Sequence, residues 1–147
     1  MQAVGDDFLG GALRIAQPEK GFRSGQDAVL LAASIPAKSG EFCLELGAGA
    51  GVASLCLAHR VRGCSVYGLE IDEGLVGLAG ENAVQNGLQD AVRFFRADIT
   101  EKLSSFPKLE PERFDHVFAN PPYYNEAEFA KAPDAGRALA RSLPVDA

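Results

Sequence analysis

A short apolar run, Phe42-Cys43-Leu44-Glu45-Leu46, breaks off at Gly47-Ala48-Gly49-Ala50-Gly51 and gives way to Val52, Leu55, Cys56 and His59 at helical spacing. A strand, a glycine turn and a helix in that order open a parallel α/β sheet. The pattern then repeats. Ser65 to Asp72 reads as a second strand, and Glu73 to Asn86 as a helix with Leu75, Val76, Leu78, Ala79, Asn82 and Ala83 inward. Asn86-Gly87 stops that helix, because glycine adopts the left-handed conformation cheaply. Val92 to Asp98 makes a third strand, and Phe114 to Ala119 a fourth. Asn120-Pro121-Pro122 must end the fourth, since successive prolines supply no ladder donors. A short helix or turn near Thr100 to Phe106 and a polar loop from Pro107 to Glu112 lie between them.

Ahead of the first strand, Ser24-Gly25-Gln26-Asp27 has the form of a capping box opening a helix from Ala28 to Ile35, with Pro36 closing it. Phe8 to Gln17 reads as a hairpin or arm turning at Gly10-Gly11. The 147 residues suit one domain: an arm and capping helix over 1–40, a core over 41–125, and an alanine-rich polar tail. With 47% apolar residues the chain can bury a core without disulfides. No apolar run reaches membrane-spanning length, and the N-terminus lacks the form of a secretion signal. Three cysteines without CxxC spacing point to a reducing, cytoplasmic compartment and no metal site. The net charge of −6 disfavours a chain whose main task is gripping phosphates.

Right-handed crossovers set successive parallel strands side by side, and ligands bind beyond their carboxyl ends. The glycine turn, Glu70, Asp98 and Asn120 all fall on such ends. Glycines at 47, 49 and 51 let a ligand approach the main chain, although a tight turn needs them too. Glu70, nineteen positions after Gly51, stands where a carboxylate can accept ribose hydroxyls, or is a solvated charge beside Asp72. Asp98 can accept from an adenine amine or cap a following helix. In Asn120-Pro121-Pro122-Tyr123, the Asn amide and the first proline's carbonyl can accept from one planar NH₂ and aim its lone pair. Tyr123, with Tyr124 behind it, offers a stacking face.

Leu44 to Gly51 together with Asn120-Pro121-Pro122-Tyr123 resembles the S-adenosylmethionine-dependent methyltransferases that modify planar-amine nitrogens. Within that group Phe8-Leu9-Gly10-Gly11, Gln17-Pro18, Gly21 to Gly25, Asp27 to Ala33 and the pair Tyr123-Tyr124 are similar to the bacterial tRNA1(Val) adenine-37 N6-methyltransferases. The resemblance implies a Rossmann-like class I fold, with a mostly parallel sheet, helices on both faces, and the C-terminal strands missing from this chain. It implies S-adenosyl-L-methionine as cofactor, with Glu45, Gly47, Ala48, Gly49 and Gly51 along its methionine part. Glu70 and Ile71 would serve its ribose, Asp98 and Ile99 its adenine. Arg23, Gln26 and Asp27 would close over the methionine end, while Asn120 with Pro121 and Pro122 would hold the target amine. The implied substrate is tRNA, bearing on Tyr123 and Tyr124, and the implied reaction is direct displacement at the sulfonium methyl.

Three functions remain open on the sequence: adenine N6-methylation in tRNA, N5-methylation of a protein glutamine, and cofactor binding without turnover. Only about forty residues precede the first core strand, which argues against the helical leading domain of the glutamine enzymes. A fourth strand left at the sheet edge is expected to be covered or paired, including with a second copy of the chain.

Overall fold

The structure, a computed structural model, describes residues 1–101 and 112–121. The chain begins with an antiparallel hairpin, β1 (Ala3–Phe8) and β2 (Leu13–Pro18), running in register from Ala3 opposite Pro18 to Phe8 opposite Leu13. A single 3₁₀ turn at Leu9–Gly11 joins them. The hairpin is longer than the arm expected from the sequence. Leu13, Ile15 and Gln17 alternate inward on β2, so one face of the hairpin is committed to the core.

Helix α1 (Gln26–Ser34) begins two residues earlier than the capping-box pattern predicts. Its N-cap is Gly25, not Ser24, and the Asp27 carboxylate reaches back to the Gly25 amide at 3.1 Å. Ser24 is drawn off instead by Gln17, whose side-chain oxygen accepts from the Ser24 amide at 2.8 Å. Ile35 is extended, as a residue before proline must be, and the helix ends there.

The main sheet holds β3 (Phe42–Leu46), β4 (Ser65–Glu70), β5 (Val92–Arg96) and β6 (His116–Ala119), all parallel in the order β5-β4-β3-β6. From β3 the chain steps outward to β4 and β5, then returns to the other side of β3. The order therefore reverses between β3 and β6, the place where such sheets take ligands. β4 ends at Glu70 and not at Asp72, because Asp72 caps the next helix by accepting from the amides of Gly74 and Leu75. β5 ends at Arg96, two residues before Asp98, and β6 starts at His116, two residues after Phe114.

Two further helices are α2 (Val52–Arg60) and α3 (Glu73–Gln85). The stop at Asn86-Gly87 forms as expected: Gly87 has φ 68°, and the amides of Gly87 and Leu88 bond the carbonyls of Val84 and Ala83. Alternation sends Cys43, Val66, Val92 and Phe118 to one sheet face, where they pack with the buried residues of all three described helices. The opposite face carries Leu44, Leu69, Leu46, Tyr67, Phe95 and Phe114, a cluster that includes no residue of α1, α2 or α3. The three described helices thus lie on that first face of the sheet. The connection from β5 to β6, with the expected short helix and loop, falls mostly outside the described residues.

Candidate functional site

The sheet register lines up the strand ends. Leu46 is opposite Leu69 on one side and Ala119 on the other, and Glu70 is opposite Arg96. Asn120, Gly47, Glu70 and Arg96 therefore form one row along the carboxyl edge. The paired ends Ala119 and Leu46, just before Asn120 and Gly47, are one strand spacing, about 5 Å, apart, and four strands span roughly 14 Å from three such spacings.

The glycine turn lies in the middle of that row. Gly47, Gly49 and Gly51 have φ of 72°, 57° and 91°, so all three occupy the left-handed region. At Gly51 there is a second reason: an added Cβ would stand 2.6 Å from the Phe94 ring. The same ring excludes a side chain at Gly68, where a Cβ would meet it at 2.5 Å. Phe94 thus fills the space beneath the turn that two glycines vacate. Above the turn the reverse holds, for an added Cβ at Gly47 or Gly49 would meet nothing within 4 Å. Ala48 is buried and fastens the turn to β4 through its amide on the Leu69 carbonyl at 2.8 Å.

Two carboxylates flank the turn differently. Glu70 accepts from the Gly49 amide at 2.8 Å with one oxygen, and from the amides of Ile71 and Asp72 at 2.9 and 3.1 Å with the other. It shapes the turn and retains lone-pair capacity for another donor. Glu45 lies beneath the turn, 2% exposed, and accepts from the Ser54 hydroxyl of α2 at 2.7 Å. Burial pushes its carboxyl up to about 8 against the opposing pull of the Ser54 hydrogen bonds, and the charge of Glu70 adds to the rise. The resemblance implies a place along the cofactor for Glu45, whose side chain is enclosed by protein here.

At the outer end of the row, Asp98 accepts from the Thr100 amide at 2.9 Å and hydroxyl at 2.6 Å with the same oxygen. Those bonds hold its carboxyl below the usual range and make it the closing residue of a turn. Ile71 and Ile99, 41% and 42% exposed, stand at the ends of neighbouring strands and present apolar surface to solvent.

At the inner end, the Asn120 side-chain NH₂ donates to Asp27 Oδ2 at 2.7 Å, joining β6 to the first turn of α1. That bond holds the Asp27 carboxyl below its ordinary value. Arg23 pairs with Asp6 of the hairpin. With Gln26, Phe8 and Gln17 they line a cleft of about 430 Å³ between the hairpin and the start of α1. Pro121 is described; Pro122, Tyr123 and Tyr124 lie outside the described residues.

Asn82, 1% exposed, is a site residue that motif reading missed. Its side chain accepts from the Ala16 amide and donates to the carbonyls of Ala16 and Ala50, at 2.9, 2.9 and 3.0 Å. One amide thereby ties the hairpin to the glycine turn. The signal was present as a polar residue on the apolar stripe of a helix.

Residues 24–140 match the family described as the methyltransferase small domain. The chain belongs to that family. Among its relatives, the tRNA1(Val) (adenine(37)-N6)-methyltransferase of Porphyromonas gingivalis is 35% identical over 136 residues, 84% of this chain and 50% of the relative. The 23S rRNA (uracil(1939)-C(5))-methyltransferase RlmD of Stenotrophomonas maltophilia is 46% identical over 82 residues, 56% of this chain and 18% of its own. An RNA methyltransferase from Salinibacter ruber, solved with S-adenosyl-L-homocysteine, shares the methyltransferase fold at a TM-score of 0.55 with 24% identity. The match covers 68% of this chain and 62% of that one. The chain spans about half the length of the tRNA methyltransferase relatives it matches. No described helix of this methyltransferase small domain is long and apolar enough to cross a membrane.

Proposed function

We propose that this chain binds S-adenosyl-L-methionine along the strand-end row and belongs to an N-methyltransferase acting on adenine N6 in tRNA. The observation that carries the proposal is the row itself: glycine turn, acid, apolar pair and Asn-Pro corner on one edge, within roughly the length of one nucleoside-bearing sulfonium. The residues fit that group. Open space over Gly47 and Gly49 admits a ligand against the main chain. Glu70 offers its remaining acceptor capacity to ribose hydroxyls. Ile71 and Ile99 offer apolar surface to a planar ring, with Asp98 beside them to accept from its amine. Gln26 and Arg23 stand at the neighbouring cleft, toward the methionine end.

When bound, the cofactor supplies an electrophilic methyl on sulfur. The chain's own work is positioning. Asn120 Oδ1 and the Pro121 carbonyl accept from the two hydrogens of an exocyclic amine, which aims the nitrogen lone pair at that methyl. With a cofactor bound, methyl transfer would be a direct displacement at its sulfonium, and the amine proton would leave to solvent past the Asn120–Pro121 corner. No charged base is required at the corner, because the amine loses its proton after it has become a cation. Tyr123 and Tyr124 supply the stacking faces for the base.

RNA as the acceptor is supported by the names of the relatives, whose substrates are bases of tRNA and rRNA. Such a protein works in the cytoplasm. The test is transfer from labelled cofactor to total tRNA, with release factors as the competing acceptor. Transfer to tRNA alone supports the proposal, and transfer to release factors alone overturns its acceptor. Cofactor binding without transfer to either overturns it in favour of a binding fragment. Asn120→Ala is expected to cut turnover by roughly 10²-fold while cofactor affinity stays within about threefold. Equal loss of both would misplace Asn120.

A further inference from the structure

Asn120 poses a geometric problem that its position alone does not solve. A side-chain amide is nearly symmetric in shape, and its oxygen and nitrogen ends can exchange by a half-turn. Only one of the two arrangements leaves an acceptor for a target amine; the other presents two more hydrogens to it. Something must choose between them.

We infer that Asp27 is the positioning residue that fixes the direction of the Asn120 amide. The inference rests on the amine-holding role proposed for Asn120. An ionised carboxylate only accepts hydrogen bonds, so a group held 2.7 Å from Asp27 Oδ2 must present its NH₂. Asn120 Oδ1 is left at the other end, and no donor among the described residues bonds it. Turning the amide over would set oxygen against oxygen at that separation.

Asp27 is itself held. Its other oxygen accepts from the Gly25 amide at 3.1 Å, which anchors the carboxylate to the N-cap of α1. The loop before that cap is clamped by Gln17, 2% exposed, which donates to the Ser24 carbonyl at 2.9 Å and accepts from the Ser24 amide. Gln17 also donates to Asp6, the partner of Arg23. Hydrogen bonds from Gln17 to Ser24 and from Gly25 to Asp27, joined by the Ser24–Gly25 peptide link, therefore connect the hairpin to an amide 93 residues beyond Asp27. The sequence assigns Asp27 to the methionine end of the cofactor; the geometry points to the acceptor side.

Asparagine is the informative replacement. An amide at position 27 has one acceptor for two donors, the Gly25 amide and the Asn120 NH₂, so it satisfies one and opposes the other. Asp27→Asn is expected to lower kcat, and Asp27→Ala to lower it by roughly 10- to 100-fold. Cofactor affinity by titration calorimetry should stay within about threefold. In an Asn120→Ala background, Asp27→Ala should cost nothing further. A second readout needs no turnover. The Asn120 side-chain NH₂ resonances, identified by their loss in Asn120→Ala, should shift in Asp27→Ala toward those of an amide in water.

The inference is overturned if Asp27→Ala weakens cofactor binding as much as it slows transfer, if the two losses multiply in the double variant, or if the Asn120 resonances stay unmoved. Should the unaltered chain transfer no methyl to total tRNA, or Asn120→Ala leave transfer intact, the proposed function falls instead. The resonance shift then still decides what holds the amide.

Discussion

Glu45 is a carboxyl group enclosed by protein with Ser54 as its donor. Its proton is retained to about 8 in the folded chain, against an ordinary 4.5 when unfolded. Between those values the native state binds the extra proton, so stability must fall as pH rises from 4.5 toward 8. At roughly 1.4 kcal/mol per pH unit, the loss amounts to a few kcal/mol. Glu45→Gln keeps an acceptor for Ser54 without the charge, so urea midpoints of variant and parent should converge near pH 4.5 and separate, variant higher, by pH 8. Parallel curves would mean that the carboxyl is solvated. The cysteines follow the same physics: burial pushes the Cys43 thiol up to about 12 and Cys56 to about 11. A thiol-disulfide reagent should modify them only as fast as the chain unfolds, since the thiolate is the reactive form. Reaction at a free-thiol rate would contradict their burial. The positions of Glu70 and Asp98 at or just beyond strand ends were legible from sequence. That Glu70 first serves its own glycine turn was not, because backbone amides carry no sequence signature.

At the scale of elements, the hairpin and α3 show how a sheet edge can be satisfied by a helix. Arg14 and Ala16 on β2 turn their amides and carbonyls away from β1 and find the C-cap Asn86 of α3 and Asn82 four residues before it. Asn82→Ala should cost roughly 2–5 kcal/mol, since it strands the amide of Ala16 and the carbonyls of Ala16 and Ala50 where side chains are buried. Asn86→Ala, at a more exposed position, should cost about 1 kcal/mol. Denaturation curves measure both, and amide exchange at Ala16 should speed up only in the first. Similar costs for the two would show that Asn82 does no more than cap an edge. The helix stops, the glycine turn and the hairpin turn were all legible, because each is governed by residues adjacent in the chain. The N-terminus of α1 was not, since Gln17 competes for Ser24 from the hairpin and hands the cap to Gly25.

Over the whole molecule, β6 pairs with β3 on one side, and no described strand occupies its other side. Val117, on the sheet face that it shares with Leu44, is 57% exposed. Wherever such an edge is open it recruits partners, so an open β6 edge is expected to give concentration-dependent self-association in sedimentation, weakened by Val117→Lys beside the edge. A monomer at all concentrations would mean that the edge is otherwise covered. By itself the sequence determined the four core strands, the glycine turn and the presence of the three described helices, since periodicity and turn chemistry act over a few residues. The tertiary structure alone decided that β6 returns beside β3, that Asn120 and Gly47 therefore follow neighbouring strand ends, and that Asp27 meets Asn120. Those neighbours are set by how a whole sheet closes over its core, and local preferences carry no term for that.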